Sequence, residues 1–200
     1  MRKKRFITAG MVCEQGRAKY YATLQQVRQG DLVRVKRGVY AKEIDLADVM
    51  IDVEAIVPGG ILCMYSAWAY YALTTQVPPQ YDIAIKRGRK VVLPEYPPIT
   101  LHNLSDSSLD LGVTTATISG FNVKIFDVEK CVCDAVKFRN KIGIDVCTEI
   151  IKEYLKRRDR NIAKLMTYAR TLRVAKILGM YLAMGVQVRR MSLHLFVKGC

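Results

Sequence analysis

The chain has 200 residues, with 32 Lys and Arg against 18 Asp and Glu and a formal net charge of +14. Half of it is hydrophobic and its mean hydropathy is +0.07, which excludes a disordered basic tail, because such tails lack the apolar residues that offset chain entropy. A pI near 9.6 points to a polyanionic partner without separating DNA, RNA and anionic lipid.

The charge is unevenly placed. Residues 1–42 hold 11 basic and 2 acidic residues, residues 43–60 hold 5 acids and no Lys or Arg, residues 61–126 hold 5 bases and 4 acids, and residues 127–200 hold 16 and 7. Two basic ends therefore flank an acidic hinge and a nearly neutral middle. The start, Arg2-Lys3-Lys4-Arg5 followed by Phe6–Cys13, imitates a leader peptide. Its apolar stretch is short, Gly10 interrupts it, and Val12 is too large for a small-residue cleavage site.

The first unit, 1–45, reads as a winged helix-turn-helix. After Gly16, the stretch Arg17–Gln29 contains no helix breaker and stops at Gly30, a regular C-terminal stop. On a helical projection Tyr20, Leu24 and Val27 share one side, while Ala18, Ala22, Gln25, Gln26 and Gln29 share the other. Two β-favouring runs, Leu32–Val35 and Val39–Ala41, then surround Lys36-Arg37-Gly38, where glycine permits the positive φ of a tight hairpin.

The second unit, 55–184, reads as a mixed α+β domain that ends in a helical bundle. Apolar runs at Ile61–Leu73 and Ile177–Val188 span 13 and 12 residues. A membrane-spanning helix needs about 20, so both are expected as buried core helices, with Ser66–Leu73 the helical part of the first. Short strands are expected at Tyr81–Lys86, Lys90–Leu93, Ile99–His102, Val113–Ile118 and Phe121–Phe126, with Lys86–Lys90 a basic turn. Four helices follow: one capped by Asp127 and reaching about Lys141, one from Asp145, one carrying Ile162, Leu165, Met166, Ala169 and Leu172, and one carrying Val174, Ile177, Leu178, Tyr181 and Leu182. Apolar spacings of three and four make each of them amphipathic. Residues 185–200 form a tail without clear periodicity.

The ordered combination of helix, glycine and basic hairpin points to duplex DNA. The helix 17–29 is expected in the major groove with its N-terminal residues nearest the bases. Ala18 and Ala22 allow close approach, Gln25 and Gln26 suit adenine edges, and Arg17 and Lys19 suit guanine or phosphate. Arg34, Lys36 and Arg37 are expected on flanking phosphates, fixing position rather than sequence. The second basic cluster, Lys152–Lys176, shares helices with inward apolar stripes and is expected to be a solvated face.

No catalytic constellation is visible. His102 and His194 have no metal-ligand neighbour at helical spacing. Cys131 and Cys133 lie two apart on a helix, so their thiols diverge, which argues for buried cysteines over a zinc site. Six cysteines without Cys-x-x-Cys fit reduced thiols in a cytoplasmic protein. No glycine-rich phosphate loop and no Gly-x-Ser-x-Gly occurs. Asp82 and Glu95 are available for a nuclease-like acid set, but no Glu-x-Lys or Asp-x-Lys follows them to complete one. Trp68 with Tyr65, Tyr70 and Tyr71 reads as core. No metal or cofactor is expected.

Several segments in order resemble one family. Gly30–Tyr40 looks like the wing of the AbiEi antitoxins of bacterial abortive-infection toxin–antitoxin systems. Tyr65–Thr75 followed by Val77-Pro78 is similar to the helix opening their second domain, and Asp127–Asp134, Arg139–Gly143 and Tyr168–Lys176 continue the match. The resemblance covers roughly residues 15–184. It implies a non-enzymatic repressor of its own operon that binds promoter inverted repeats and counters a nucleotidyltransferase-like toxin, with direct toxin contact left open; a homodimer on DNA is expected because two half-sites call for two copies. The DNA-reading positions carry over to Arg17–Arg28 and the hairpin bases. Arg139, Lys141, Arg170 and Arg173 are the matched basic positions for antitoxin function. The segment ahead of Gly16 is short for the two helices that precede a recognition helix in this family. Two rival readings from other classes are a metal-dependent nuclease acting on nucleic acid and a non-catalytic protein-interaction adaptor.

Overall fold

A computed structural model describes residues 6–42, 53–78, 80–94, 97–118 and 120–183. The fold is mixed α+β, with a three-stranded sheet near the start of the chain and a five-stranded mixed sheet after it.

The chain opens with strand β1 (Phe6–Thr8), helix α1 (Ala9–Cys13) and helix α2 (Arg17–Gln29). Residues Phe6–Cys13, which resembled a leader, are thus divided between a strand and a helix. Gly30, at φ 85°, ends α2 as expected, its N–H reaching back to the Gln26 and Val27 carbonyls. Strands β2 (Val33–Lys36) and β3 (Val39–Ala41) form the hairpin, and β3 also pairs with β1, Ile7 opposite Tyr40. Val35, Val39 and Ala41 are buried and belong to one apolar cluster that continues through Val53 and Ile56 of helix α3 (Val53–Ile56).

The run Ile61–Leu73 is not one helix. Ile61–Leu62 is strand β4 and Met64–Tyr70 is helix α4. β4 pairs antiparallel with β5 (Tyr81–Lys86) and parallel with β8 (Phe121–Phe126), so two residues occupy the centre of the larger sheet. Met64 has φ 45°, a left-handed step that turns strand into helix where an uninterrupted apolar run gives no outward sign of a break. Gly60 is required for close approach: a Cβ there would lie 2.7 Å from the Ile83 Cγ2 and 2.9 Å from the Val57 carbonyl oxygen.

Strands β5, β7 (Val113–Ile118) and β8 have the expected spans, and β6 (Ile99–Leu104) runs two residues beyond expectation. The strand expected at Lys90–Leu93 is absent. Val91 and Leu93 instead satisfy their alternation by packing on the core without joining a ladder, and Pro94 behind them lacks a donor. Helix α5 (Asp106–Leu109) links β6 to β7.

Helices α6 (Val128–Ile142), α7 (Ile144–Lys156) and α8 (Ile162–Thr171), and a helix over 175–183 (α9), form the expected bundle. Asp127 caps α6, accepting from the Lys130 N–H at 2.8 Å. Nine consecutive residues, Val128–Val136, are buried, so this helix is surrounded on all sides over its first half. Three of the nine are charged. Lys130 Nζ lies 2.6 Å from both oxygens of Asp134 and 4.3 Å from the centre of the Phe126 ring. Glu129 accepts from Tyr154 Oη of α7, the Asn161 N–H ahead of α8, and Lys164 Nζ of α8. Trp68 Nε1 of α4 donates to the Cys131 carbonyl at 3.0 Å. Among the described residues, no helix is long and apolar enough to cross a membrane.

Lys130→Ala leaves Asp134 buried without its cation and is expected to cost about 3–5 kcal/mol in urea-induced unfolding. Replacing the pair together, Lys130→Met with Asp134→Leu, is expected to recover most of that loss, since the apolar pair leaves no charge stranded.

Candidate nucleic-acid interface

Helix α2 has very little of itself in the core. Thr23 is its one buried residue, its hydroxyl turned back onto the Lys19 carbonyl at 2.9 Å, with Tyr20, Leu24 and Val27 half-buried alongside. Arg17, Ala18, Lys19, Tyr21, Ala22, Gln25, Gln26, Arg28 and Gln29 are all exposed. No acid occurs anywhere in the helix. The predicted inward side of Tyr20, Leu24 and Val27 is the one observed, and of the predicted outward side Ala18, Ala22, Gln25 and Gln29 stand open while Gln26 borders a cleft.

The four predicted readers on α2 do not share one aspect of it. Arg17 and Gln25 lie on the outward side. Lys19 and Gln26 lie at the edge that turns toward α1, where they help line a cleft of about 340 Å³ floored by Ile7, Met11, Thr23 and Leu32. Sequence reasoning passed over Tyr21, which stands on the outward side one helical turn from both Arg17 and Gln25. The adjacent Tyr20 belongs to the apolar stripe, and an aromatic beside it reads as more core from the sequence, although the step of one residue turns Tyr21 out of that stripe.

The connection between α1 and α2 is a tight turn. The Gln15 N–H reaches the Val12 carbonyl and the Gly16 N–H the Cys13 carbonyl, and Gly16 then enters α2 at φ 100°. Thr8 caps α1, accepting from the Met11 N–H at 3.3 Å. Arg34 on β2 and Arg37 in the hairpin turn are exposed, and Lys36 ends β2 in register with Val39. Gly38 carries the turn at φ 78°, and its carbonyl accepts from the Ala9 N–H at 2.7 Å. That bond ties the tip of the hairpin to the first residue of α1, so hairpin, α1 and α2 are held in one frame.

The matched basic positions of the second unit fall into two groups. Arg139 and Lys141 occupy the last turn of α6. Arg170 lies near the end of α8, two residues after Tyr168, whose hydroxyl donates to Asp127 at the opposite end of α6. Thirteen helical residues, about 20 Å at 1.5 Å per residue, separate those two ends. Arg173 follows at φ 60° and is exposed. The four do not form one cluster around α6.

Other candidates resolve into structural roles. Asp82 is buried: its N–H donates to Ser66 Oγ, its carbonyl accepts from the Cys63 N–H, and its carboxylate contacts His102 Nε2 at 2.8 Å. Its backbone groups and Oδ1 are thereby engaged in holding β5 to β6 and to the junction of β4 with α4, while Glu95 and His194 lie outside the described residues. The thiols of Cys131 and Cys133 diverge as expected, one toward the Phe126 carbonyl and the other toward the Leu165 carbonyl. Burial pushes the Cys131 and Cys63 thiols well above their usual range and the Cys133 thiol up to about 12. Trp68 is fully buried, but Tyr70 is 46% exposed and is not core, because α4 ends at that residue. Lys86–Lys90 forms the expected turn, with Lys86 paired to Asp106 at 2.9 Å.

No protein-family model matches the chain, and comparison with curated proteins gives no significant match.

Gly38→Val is expected to destabilise the protein by about 1–2 kcal/mol, the cost of a left-handed backbone for a residue with a Cβ. Gly38→Asn should lose less, because asparagine tolerates that conformation; urea denaturation of the three proteins checks the order. In a Cys200→Ser chain at pH 8, a disulfide reagent is expected to modify the exposed Cys13 promptly. Cys63, Cys131, Cys133 and Cys147 should react only after denaturant is added.

Proposed function

We propose that the protein is a DNA-binding transcription regulator whose residues 6–42 act as a winged helix-turn-helix, with α2 in the major groove and the β2–β3 hairpin on the flanking backbone. The observation that carries this is the pairing of β1 with β3 around two helices, which sets an acid-free exposed helix face beside a basic hairpin. A rigid helix whose outward side has small residues, amides and guanidinium groups matches the donors and acceptors of base edges. Arg34 and Arg37 match phosphates, which position a protein without reading sequence.

The resemblance to the AbiEi antitoxins extends the proposal. The regulator would bind inverted repeats in its own promoter as a homodimer and counter a nucleotidyltransferase-like toxin through its second unit, without catalysis of its own. Burial of Asp82 and the hold of His102 on its Oδ1 favour this over a nuclease, since a buried carboxylate already paired within the sheet is poorly placed to take a metal ion. Arg139 and Lys141 on one side and Arg170 and Arg173 on the other are two separate surfaces on which antitoxin activity can be sought.

Footprinting on the DNA upstream of the protein's own gene is expected to reveal a protected inverted repeat with no Mg²⁺-dependent cutting. The Arg34→Ala, Arg37→Ala double variant should bind more weakly across all sequences and lower the slope of log K against log salt by about 2, one for each phosphate contact removed. An unchanged salt slope would remove the hairpin from the interface. Cleavage of the fragment would replace the regulator with a nuclease.

A further inference from the structure

Tyr21 is 67% exposed on α2, a large aromatic ring on a face otherwise made of charged, amide and alanine side chains. With 3.6 residues per turn it falls directly between Arg17 and Gln25, and Arg28 continues the same stripe. Ala18, one turn before it, and Ala22, beside it, rise no higher than a methyl group, so the ring projects beyond its surroundings. It is also braced. The half-buried Tyr20 ring meets it edge-to-face, with centroids 5.9 Å apart and planes at 69°, a favourable arrangement for two aromatic quadrupoles. A braced ring with two torsions loses little conformational freedom on contact, whereas a flexible side chain in its place would lose more.

The partner follows from the surroundings. A protein-binding aromatic anchor sits in an exposed apolar patch, but apart from two alanines and the half-buried Tyr20 and Leu24 the exposed neighbours of Tyr21 are Arg17, Gln25 and Arg28, and α2 has no acid to oppose a polyanion. Within the basic major groove interface proposed above, one apolar group stands out from a base edge: the C5-methyl of thymine. Tyr21 is the fifth residue of α2, within the N-terminal half that comes closest to the bases in this kind of docking.

We infer that Tyr21 is a specificity-determining residue, its ring packing on a thymine methyl between the base contacts of Arg17 and Gln25. The inference rests on the DNA-binding function proposed above and adds to it a residue and a base preference. The hydroxyl is not what discriminates; the ring is.

The test uses the full chain and the duplex it enriches from a randomised-sequence pool, together with copies in which single thymines are replaced by deoxyuridine, which removes only the methyl. Wild type is expected to lose about fivefold in affinity at one or two thymines within each half-site, the lower range of single-base discrimination. Tyr21→Ala should bind the thymine and deoxyuridine duplexes alike, at the affinity wild type shows for the deoxyuridine duplex. Tyr21→Phe should keep the discrimination. If Tyr21→Ala retains the same preference for thymine, or if wild type is indifferent to deoxyuridine at every position, the assignment of Tyr21 is wrong although DNA binding stands. If the pool enriches no sequence, the DNA-reading function itself falls and this role falls with it.

Discussion

The bundle depends on a single helix half that is buried from every direction and is nonetheless charged. Taking Glu129, Lys130 and Asp134 out of water is costly, and ion pairing in the interior returns that cost only where the geometry is close and the remaining lone pairs are used. Both conditions hold. Lys130 meets both oxygens of Asp134 and lies over the Phe126 ring, while Glu129 is met from two other helices by Tyr154, Lys164 and the Asn161 N–H. Burial still pushes the Asp134 carboxyl up from its ordinary range, with Lys130 pulling against it. The network therefore contributes less to net stability than to register. A slide of α7 or α8 by one residue would strand a carboxylate in the core, which an apolar interface would have tolerated.

The N-terminal module solves the opposite problem. It has little apolar surface to bury along α2, so beside a small core of Val12, Leu32, Val35, Val39, Tyr40 and Ala41 the helix and hairpin are aimed by backbone hydrogen bonds and glycines. The β1–β3 ladder closes the sheet over the two helices, Gly30 ends α2 in a left-handed turn, and Gly38 directs the hairpin so that its carbonyl reaches the start of α1. A surface that reads base edges must hold donors and acceptors within a fraction of an ångström while leaving one helix face bare. Aiming α2 from its ends leaves its exposed face free of the apolar residues a packed helix would need, with Tyr21 the exception for which the proposed thymine contact accounts.

Features governed by local rules could be read from the sequence. The bounds of α2, the hairpin glycine, the Asp127 cap and the spans of β5, β7 and β8 all follow from breakers, caps and alternation, which act within a few residues. Features set by distant partners could not. Strand β4 is two residues inside an unbroken apolar run, and only its neighbours β5 and β8 make it a strand. The alternation at Val91 and Leu93 is genuine, but it is met by packing instead of pairing. The burial of Lys130 was equally hidden, since a Lys four residues from an Asp on a helix is the ordinary pattern of a solvated face. On α2, helical projection placed Gln25 on the open side, yet it put Gln26 there too and could not tell that Gln26 and Lys19 border a cleft formed with α1 and β1.

The charge balance illustrates how the same number can carry different physics. Residues 1–42 and 127–200 each hold a surplus of nine positive charges. In the second stretch the cations are interleaved with acids: Lys130 with Asp134, Lys164 with Asp127 and Glu129, Lys156 with Glu153, Arg157 with Asp159. Each such pair looks like a dipole at distances beyond the Debye length of about 8 Å at physiological salt, so the acids break up the local field there while the surplus of nine, already net of them, remains. On α2 and the hairpin, Arg17, Lys19, Arg28, Arg34 and Arg37 form no ion pair among the described residues, and α2 itself contains no acid. Their fields add instead of cancelling, and they do so over a surface one helix and one hairpin wide. The two ends therefore differ in how their cations are arranged and not in how many are left over: interleaved with acids along the bundle, unopposed along one helix and one hairpin at the N-terminus, where the potential is concentrated on a narrow surface.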